Sequence, residues 1–513
     1  MKHVKQLLSA LLVLAVVLSL LPAGVLKASA AEAPAALDIG YPTFKNTELL
    51  DEVYDLSKLG VSYSEKDIMM AIYKQDLANG GDSFYMDRIL AREGVCNGNA
   101  GSNGNADGNT FLTRGRALYM YTSSPSVIGF GGNTAYHQPL GRGNLVRVLF
   151  SNADGSLTTK EDTSKRVNAP SNWSSTYSVG SNLTLDVVKF IHQENVAVTT
   201  MTLTNKSAED QAITVAADST FATEPGKVTV NGAEQTELTG TCSSPAGLTT
   251  IYARMTGDGF EAASSDDYCW LSRDVTVPAG GSVELKVVIA FTTEEIPEST
   301  AQYLRFAGLG NLEAVRAQKA EYNLYWAENL PYIDVPKKAV QKAIDYRWWL
   351  ERFNSLDANI PGYDYQYPVT IEGVLGYNNA IILTQPMHLQ DTKWLRSPYL
   401  AYGQLLSAGN SSQSSAFLDN PGNRNNWNNH YGQYLAEAGY EAFNVIGGGA
   451  EVAENFAYYF GHDATGQLEH YGNHIEGRDL ITYRNNYMTG NDADTISMHC
   501  LLYTSPSPRD RTR

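Results

Sequence analysis

Residues 472 to 494 bring together side-chain types that can protonate and hold an oxygen-rich substrate. The stretch Gly472-Asn473-His474-Ile475-Glu476-Gly477-Arg478-Asp479 runs on through Arg484-Asn485-Asn486-Tyr487 to Thr489-Gly490-Asn491-Asp492-Ala493-Asp494. It carries four carboxylates, two guanidinium groups and four side-chain amides between apolar runs. Cleaving a glycosidic bond needs a carboxylic acid to protonate the leaving oxygen and a second carboxylate on the other side. Sugar hydroxyls need amide, carboxylate and guanidinium partners, with aromatic rings under the sugar faces. Glu476, Arg484 and Asn485 are the substrate-contact candidates of this stretch. A solvated loop of Asn, Asp and Gly turns is the plain alternative.

Two further patches have related chemistry. Glu372 leads into Tyr377-Asn378-Asn379 and then into His388, Gln390, Asp391, Lys393 and Trp394. Asn425-Asn426-Trp427-Asn428-Asn429-His430-Tyr431 is the other, ahead of an apolar helical pattern. Tyr377, Asn378, Trp427 and His430 are candidates for sugar contact. Equally, Asn429 or a neighbour would serve as a helix N-cap, with Trp427 and His430 as packing residues. The sequence has no GxSxG elbow, Walker loop, GxGxxG or HExxH, which removes the hydrolase and nucleotide classes with local signatures. His470 and His474 stand four apart but lack the HExxH context of helix-borne metal ligands. Asn103, Asn105, Asp107 and Gly108 imitate the start of a calcium loop, yet the twelfth position is Arg114 where a Glu is required. No metal or other cofactor is expected.

The elements that must position these residues fall into two kinds. From about 110 to 295 the pattern has period two. Val283, Leu285, Val287, Ile289 and Phe291 alternate with Ser282, Glu284, Lys286, Val288 and Ala290, which predicts a strand with one apolar face. Leu183–Ile191 and Val196–Leu203 predict a strand pair around Gln193-Glu194-Asn195. Ile213 and Val215 predict another strand, and Val228 and Val230 one more ahead of a hairpin turn at Asn231-Gly232. Many short strands separated by turns mean a β-sandwich. After residue 300 the period becomes helical. Leu312, Val315, Lys319, Tyr322 and Trp326 share one face, as do Ala339, Ala343, Tyr346, Leu350 and Phe353. Pro331 and Pro336 interrupt the chain between them. Tyr431, Tyr434, Leu435, Ala438 and Ala442 predict a third helix. Gly447-Gly448-Gly449 stops it, and Val452, Phe456, Tyr459 and Phe460 begin the next, a helical hairpin.

The chain has 513 residues, more than one hydrophobic core, with 43% hydrophobic and 18% charged residues as in globular proteins. Its net charge of −17 argues against nucleic acid or an anionic membrane surface as partner. Its 31 tyrosines outnumber the 15 phenylalanines and 7 tryptophans together, which suits wet, hydroxyl-rich ligands. Lys2, His3 and Lys5, the apolar run Leu7 to Leu21, and Ala28-Ser29-Ala30 read as a cleaved secretory signal. Pro22 and Gly24 break that run before membrane-span length. No integral membrane association is expected, and the protein is expected to be exported. At the other end, Cys500-Leu-Leu-Tyr-Thr-Ser-Pro-Ser-Pro-Arg-Asp510 resembles a translated sequencing adapter, with a Ser/Pro tail as the alternative. In an exported protein Cys242 and Cys269 could close a disulfide, leaving Cys96 as the odd thiol.

Residues 319–349, KAEYNLYWAENLPYIDVPKKAVQKAIDYRWW, resemble the linker and first helix of (α/α)6-barrel glycosidases. Residues 428–448 and 453–473 resemble a barrel hairpin leading into an active-site loop. The families are the mannosylglycerate-hydrolase-like and processing-α-glucosidase-like glycosidases, with trehalase more remote, over about residues 310–499. The resemblance implies an N-terminal β-sandwich followed by a partial (α/α)6 helical toroid. The expected division is a signal peptide over 1–30, a sandwich with N-terminal extension over 31–298, and a helical linker over 299–337. An incomplete catalytic toroid over 338–499 and a non-native tail over 500–513 complete it. In these families a Gly-x-Asp loop carries the general acid. Gly490-Asn491-Asp492 matches, so Asp492 is the implied acid, with Asp494 and Asp479 as alternates. Met488-Thr489 stands where the relatives have Glu-Ser, and Tyr377-Asn378 stands near their Trp-Asp.

The relatives' partner base lies far downstream, and 310–499 has room for about half the helices of a six-hairpin toroid. The expectation is therefore an inverting glycosidase whose carboxyl groups lie ~6.5–9.5 Å apart. The chain as written would show little turnover. The substrate would be an oligo- or polysaccharide. Two other classes compete. A polysaccharide lyase would use Asn429, His430, Tyr431 and Arg424, although many lyases place the toroid before the sandwich. A non-catalytic carbohydrate-binding protein on a glycosidase fold would bind without turnover.

Overall fold

Strand β15 (Ser282–Thr292) is buried on both faces along its second half, although its sequence advertises only one. Leu285, Val287, Ile289 and Phe291 point into a sandwich core, while Val288 and Ala290 lie under a helix on the opposite side. The alternation was therefore correct in phase, but the second face is covered as well. The computed structural model describes residues 34–35, 37–39, 111, 113–123, 127–136, 138–168, 170–219, 230–243, 250–265, 268–293, 297–331, 335–356, 367–370, 385–410, 417–418, 428–429 and 435–459. The signal-like segment, the calcium-like run 103–108, Cys96, His470, His474 and the adapter-like tail lie outside them.

The sandwich consists of two antiparallel sheets. The first has the order β1 (Leu118–Ser123), β2 (Gly129–Tyr136), β3 (Gln138–Asn152), β9 (Gln211–Asp218), β14 (Tyr268–Val277), β13 (Glu261–Ser265), with β4 (Gly155–Ser156) beside β3. In the second, β10 (Val230–Glu234), β11 (Glu237–Ser243), β12 (Thr250–Gly257) and β15 come first. It continues through β8 (Val196–Asn205), β7 (Leu183–His192), β6 (Trp173–Val179) and β5 (Thr159–Asn168). Because side chains alternate along a strand, Leu185, Val187 and Ile191 face inward with Ile213, Val215 and Leu271 of the other sheet. The turn at Gln193-Glu194-Asn195 is as expected, with Asn195 at φ 62°. Its buried side chain accepts hydrogen bonds from the Ala117 and Leu118 amides, at 2.9 and 3.0 Å.

Two expectations fail in this domain. Asn231-Gly232 does not turn the chain: the β10–β11 register shifts there, and the hairpin turns at Gln235-Thr236, where Gln235 has φ 52°. Gly232 permits the bulge, which moves the turn along the chain. Cys269 is a free, buried thiol rather than half of a disulfide with Cys242. The two cysteines belong to different sheets, on β14 and β11.

Three helices follow: α1 (Pro297–Gly308), α2 (Asn311–Asn329) and α3 (Lys338–Asn354). Proline and Glu298 open α1 in the positions helix starts favour. Tyr303 and Phe306 of α1 and Ala314 of α2 join Phe190, Val196, Val198, Val288 and Ala290 in one cluster on the outer face of the second sheet. The α2 stripe differs from expectation. Leu312 is exposed, while Ala314, Gln318 and Tyr322 are buried. Polar side chains on the buried face, held by specific partners, hide it from a hydrophobic count. In α3, Trp349 stacks on Phe353 with centroids 5.0 Å apart.

The second unit contains residues 363–372 and 379–513 together with the chain's beginning. Its helices are α4 (Gln385–Thr392), α5 (Tyr399–Asn410), α6 (Leu435–Ile446) and α7, covering 450–459. Leu389, Tyr402, Leu405, Leu406, Ala438, Ala442, Phe443, Val452 and Phe456 form its core. Leu37 and Ile39 pack against this cluster. The expected hairpin is present: Phe443 of α6 meets Phe456 of α7 edge to face, with centroids 6.5 Å apart. Gly447 and Gly448, at φ 85° and 148°, make the turn, and the Gly447 carbonyl accepts from the Tyr402 hydroxyl. Among the described residues no helix is long and apolar enough to cross a membrane.

Candidate functional site

The candidate acids and sugar contacts lie outside the described residues, so the structure speaks of their supports. This holds for Asp492, Asp494, Asp479, Glu476, Arg484 and Asn485, which follow α7. It holds equally for Tyr377 and Asn378, which fall between the short strand Val369–Thr370 and α4. Trp427 and His430 flank a two-residue strand, Asn428–Asn429, which pairs with Phe417–Leu418. Asn429 is thus a ladder residue and not the N-cap of α6, which is described from Leu435.

Part of the second patch is a tie between helices. Lys393, just past α4, donates to Glu441 of α6 at 2.8 Å, and Gln390 donates to the same carboxylate oxygen at 2.8 Å. The Lys393 and Gln390 hydrogen bonds hold the Glu441 carboxyl below the usual glutamate range. Lys393 also lies 5.4 Å from the ring of the exposed Trp394. Such a network fixes α4 against α6 and leaves Glu441 ionised, unsuited to donating a proton.

A polar constellation that no local motif announced sits where α2 and α3 meet the sandwich. His192 Nδ1 accepts the Glu194 amide at 3.2 Å, so Nε2 carries the proton donated to Glu321, 2.7 Å away. Arg305 of α1 donates to the other Glu321 oxygen at 2.6 Å. Burial works to raise the Glu321 carboxyl, but His192 and Arg305 together outweigh it and keep it below the glutamate range. Arg114 donates to the Phe353 carbonyl and lies over the Tyr119 ring at 4.4 Å, and burial pulls it down to about 10. Arg114, His192 and Glu321, with Arg352 and Gln318, line a cavity of about 30 Å³. That is the share of one water molecule, too small for a sugar. The imidazole–carboxylate pair therefore docks a helix. Its partners are 129 residues apart, a separation that hides it from any sequence pattern.

No family model matches the sequence. Solved structures similar to the chain include a protein provisionally named kojibiose phosphorylase from the human microbiome, at 10% identity and a TM-score of 0.44, covering 64% of this chain and 50% of that one. A family GH92 inverting mannosidase from Bacteroides thetaiotaomicron has 14% identity and a TM-score of 0.40, with 67% and 51% covered. A family GH92 α-mannosidase from the same organism has 12% identity and a TM-score of 0.33, with 67% and 54% covered. The chain spans about half the length of these structures. At such scores they assign neither residues nor a reaction to it.

Proposed function

We propose that the protein is a secreted glycoside hydrolase that cleaves an oligo- or polysaccharide with inversion of configuration. Asp492 is its general acid, with Asp494 and Asp479 as alternates. Tyr377, Asn378, Trp427, His430, Glu476, Arg484 and Asn485 bind the sugar, and the opposing base is unassigned. Residues 1–30 serve as the export signal, and the helices after the sandwich form part of an (α/α)6 toroid. One observation carries the reading. The carboxylate-, amide- and guanidinium-rich stretch 472–494 follows a glycine-hinged hairpin of α6 and α7, in a chain whose β-sandwich precedes its helices. Two carboxyl groups suffice for this reaction, so it needs no cofactor. The sandwich-first order favours a hydrolase over a lyase.

The test is turnover by the full-length protein. Asp492→Asn keeps size and hydrogen-bonding capacity but cannot supply the proton. Its kcat on the responsive glycan should fall by about 10²–10⁴-fold with binding retained. Unchanged turnover would remove Asp492 from the mechanism, and the same result for Asp494→Asn and Asp479→Asn would remove the reading.

A further inference from the structure

A depression of about 490 Å³ opens on the outer face of the second sheet, beside the first turn of α1. Its described lining comes from the second sheet and from the segment that runs into α1. The register explains its lining. Thr241 of β11 pairs with Tyr252 of β12, and Tyr252 with Thr292 of β15, so the three stand in a row across the sheet. One row along, Thr239 pairs with Arg254. Thr300 of α1 closes the side. With Thr293 also in the lining, five threonines, a tyrosine and an arginine thus border one hollow, the Thr292 hydroxyl donating to the Tyr252 carbonyl at 3.4 Å.

The guanidinium is fixed and neutralised. Arg254 Nε and Nη2 donate to the two Glu237 oxygens at 3.0 and 3.1 Å. The Tyr303 hydroxyl donates to Glu237 at 2.7 Å, and the Tyr303 ring lies 5.0 Å from the Arg254 guanidinium. This bidentate pair leaves Nη1 as the donor beyond the ion pair. The lining carries no uncompensated charge, which disfavours an anion. Threonine hydroxyls both donate and accept, and their methyl groups together with the Tyr252 ring offer apolar surface to C–H groups. The volume lies within the range of small-molecule sites.

We infer that this depression is a binding site for a neutral, polyhydroxylated ligand, a mono- or disaccharide. On a chain that acts on glycans it would retain substrate. The inference does not require hydrolysis.

The experiment is titration of the full chain, by ligand-observed NMR, with glucose, mannose, galactose and their disaccharides, with sulfate as competitor. Wild type and Asp492→Asn should bind alike. Thr241→Val, an exposed and nearly isosteric change, should weaken binding about fivefold, the worth of one hydrogen bond. Tyr252→Ala should weaken it further and Tyr252→Phe should not abolish it, which separates ring stacking from misfolding. Three results would overturn the assignment: no saccharide binding by the wild type, binding untouched by Thr241→Val and Tyr252→Ala, or displacement by sulfate. Turnover intact in Thr241→Val and Tyr252→Ala with saccharide binding weakened would support the inference, while loss of turnover in Asp492→Asn alone bears only on the hydrolase reading.

Discussion

Lys189 is an ammonium side chain inside the sandwich core, 2% exposed, and burial pulls it down to about 7. Its amine donates to the Gly129 carbonyl at 2.6 Å and lies 5.1 Å from the Trp173 ring. It follows Val188 and precedes Phe190, in phase with the inward-facing Leu185, Val187 and Ile191, a position where a lysine is rare. The sign of its pH effect follows from the depressed value. Between pH about 7 and the ordinary lysine range the unfolded chain holds a proton that the folded chain has released, so stability rises with pH through that window. Below about 7 the penalty of the buried charge is fully present. The wild type should therefore gain up to ~3 kcal/mol relative to Lys189→Met between pH 7 and 9.5 in urea denaturation. A pH-independent difference would mean the amine finds water in the folded state.

Helix α2 shows why elements were easier to read than the faces they bury. Its existence was legible from periodicity, but its buried face holds Gln318, bonded to the Ser171 carbonyl at 3.2 Å, and Glu321, bonded to His192. Hydrogen bonds across a long sequence separation replaced the apolar stripe that the count sought. Glu321→Ala should lower stability by about 2 kcal/mol, while Glu321→Gln, which can still accept from His192, should cost about half of that. Equal losses would show that packing, not the hydrogen bond, holds α2. The α6–α7 hairpin was legible down to its glycines, because a triple glycine between helical patterns has few other uses. At Gly448, φ is 148° and a Cβ would lie 2.9 Å from Val452 Cγ2. Gly448→Ala should therefore destabilise the helical unit by about 1–3 kcal/mol. A thermal midpoint equal to wild type would show that the turn relaxes without strain.

For the whole molecule, the order of sandwich then helices was plain in the switch from period two to helical spacing. The proposed chemistry rests on a local concentration of carboxylates, amides and arginines. Opposing carboxylates in a glycosidase come from segments far apart in sequence, so spacing alone cannot pair Asp492 with a base. Composition adds only the abundant tyrosine, which suits hydroxyl-rich ligands, and a net charge of −17 that argues against nucleic acid. The central claim is tested most directly by proton NMR of the first turnovers of the full-length protein on a glycan mixture. The account predicts a saturated reducing sugar whose new anomeric configuration is opposite to that of the cleaved bond. An unsaturated product, a retained anomer, or no released sugar would contradict it.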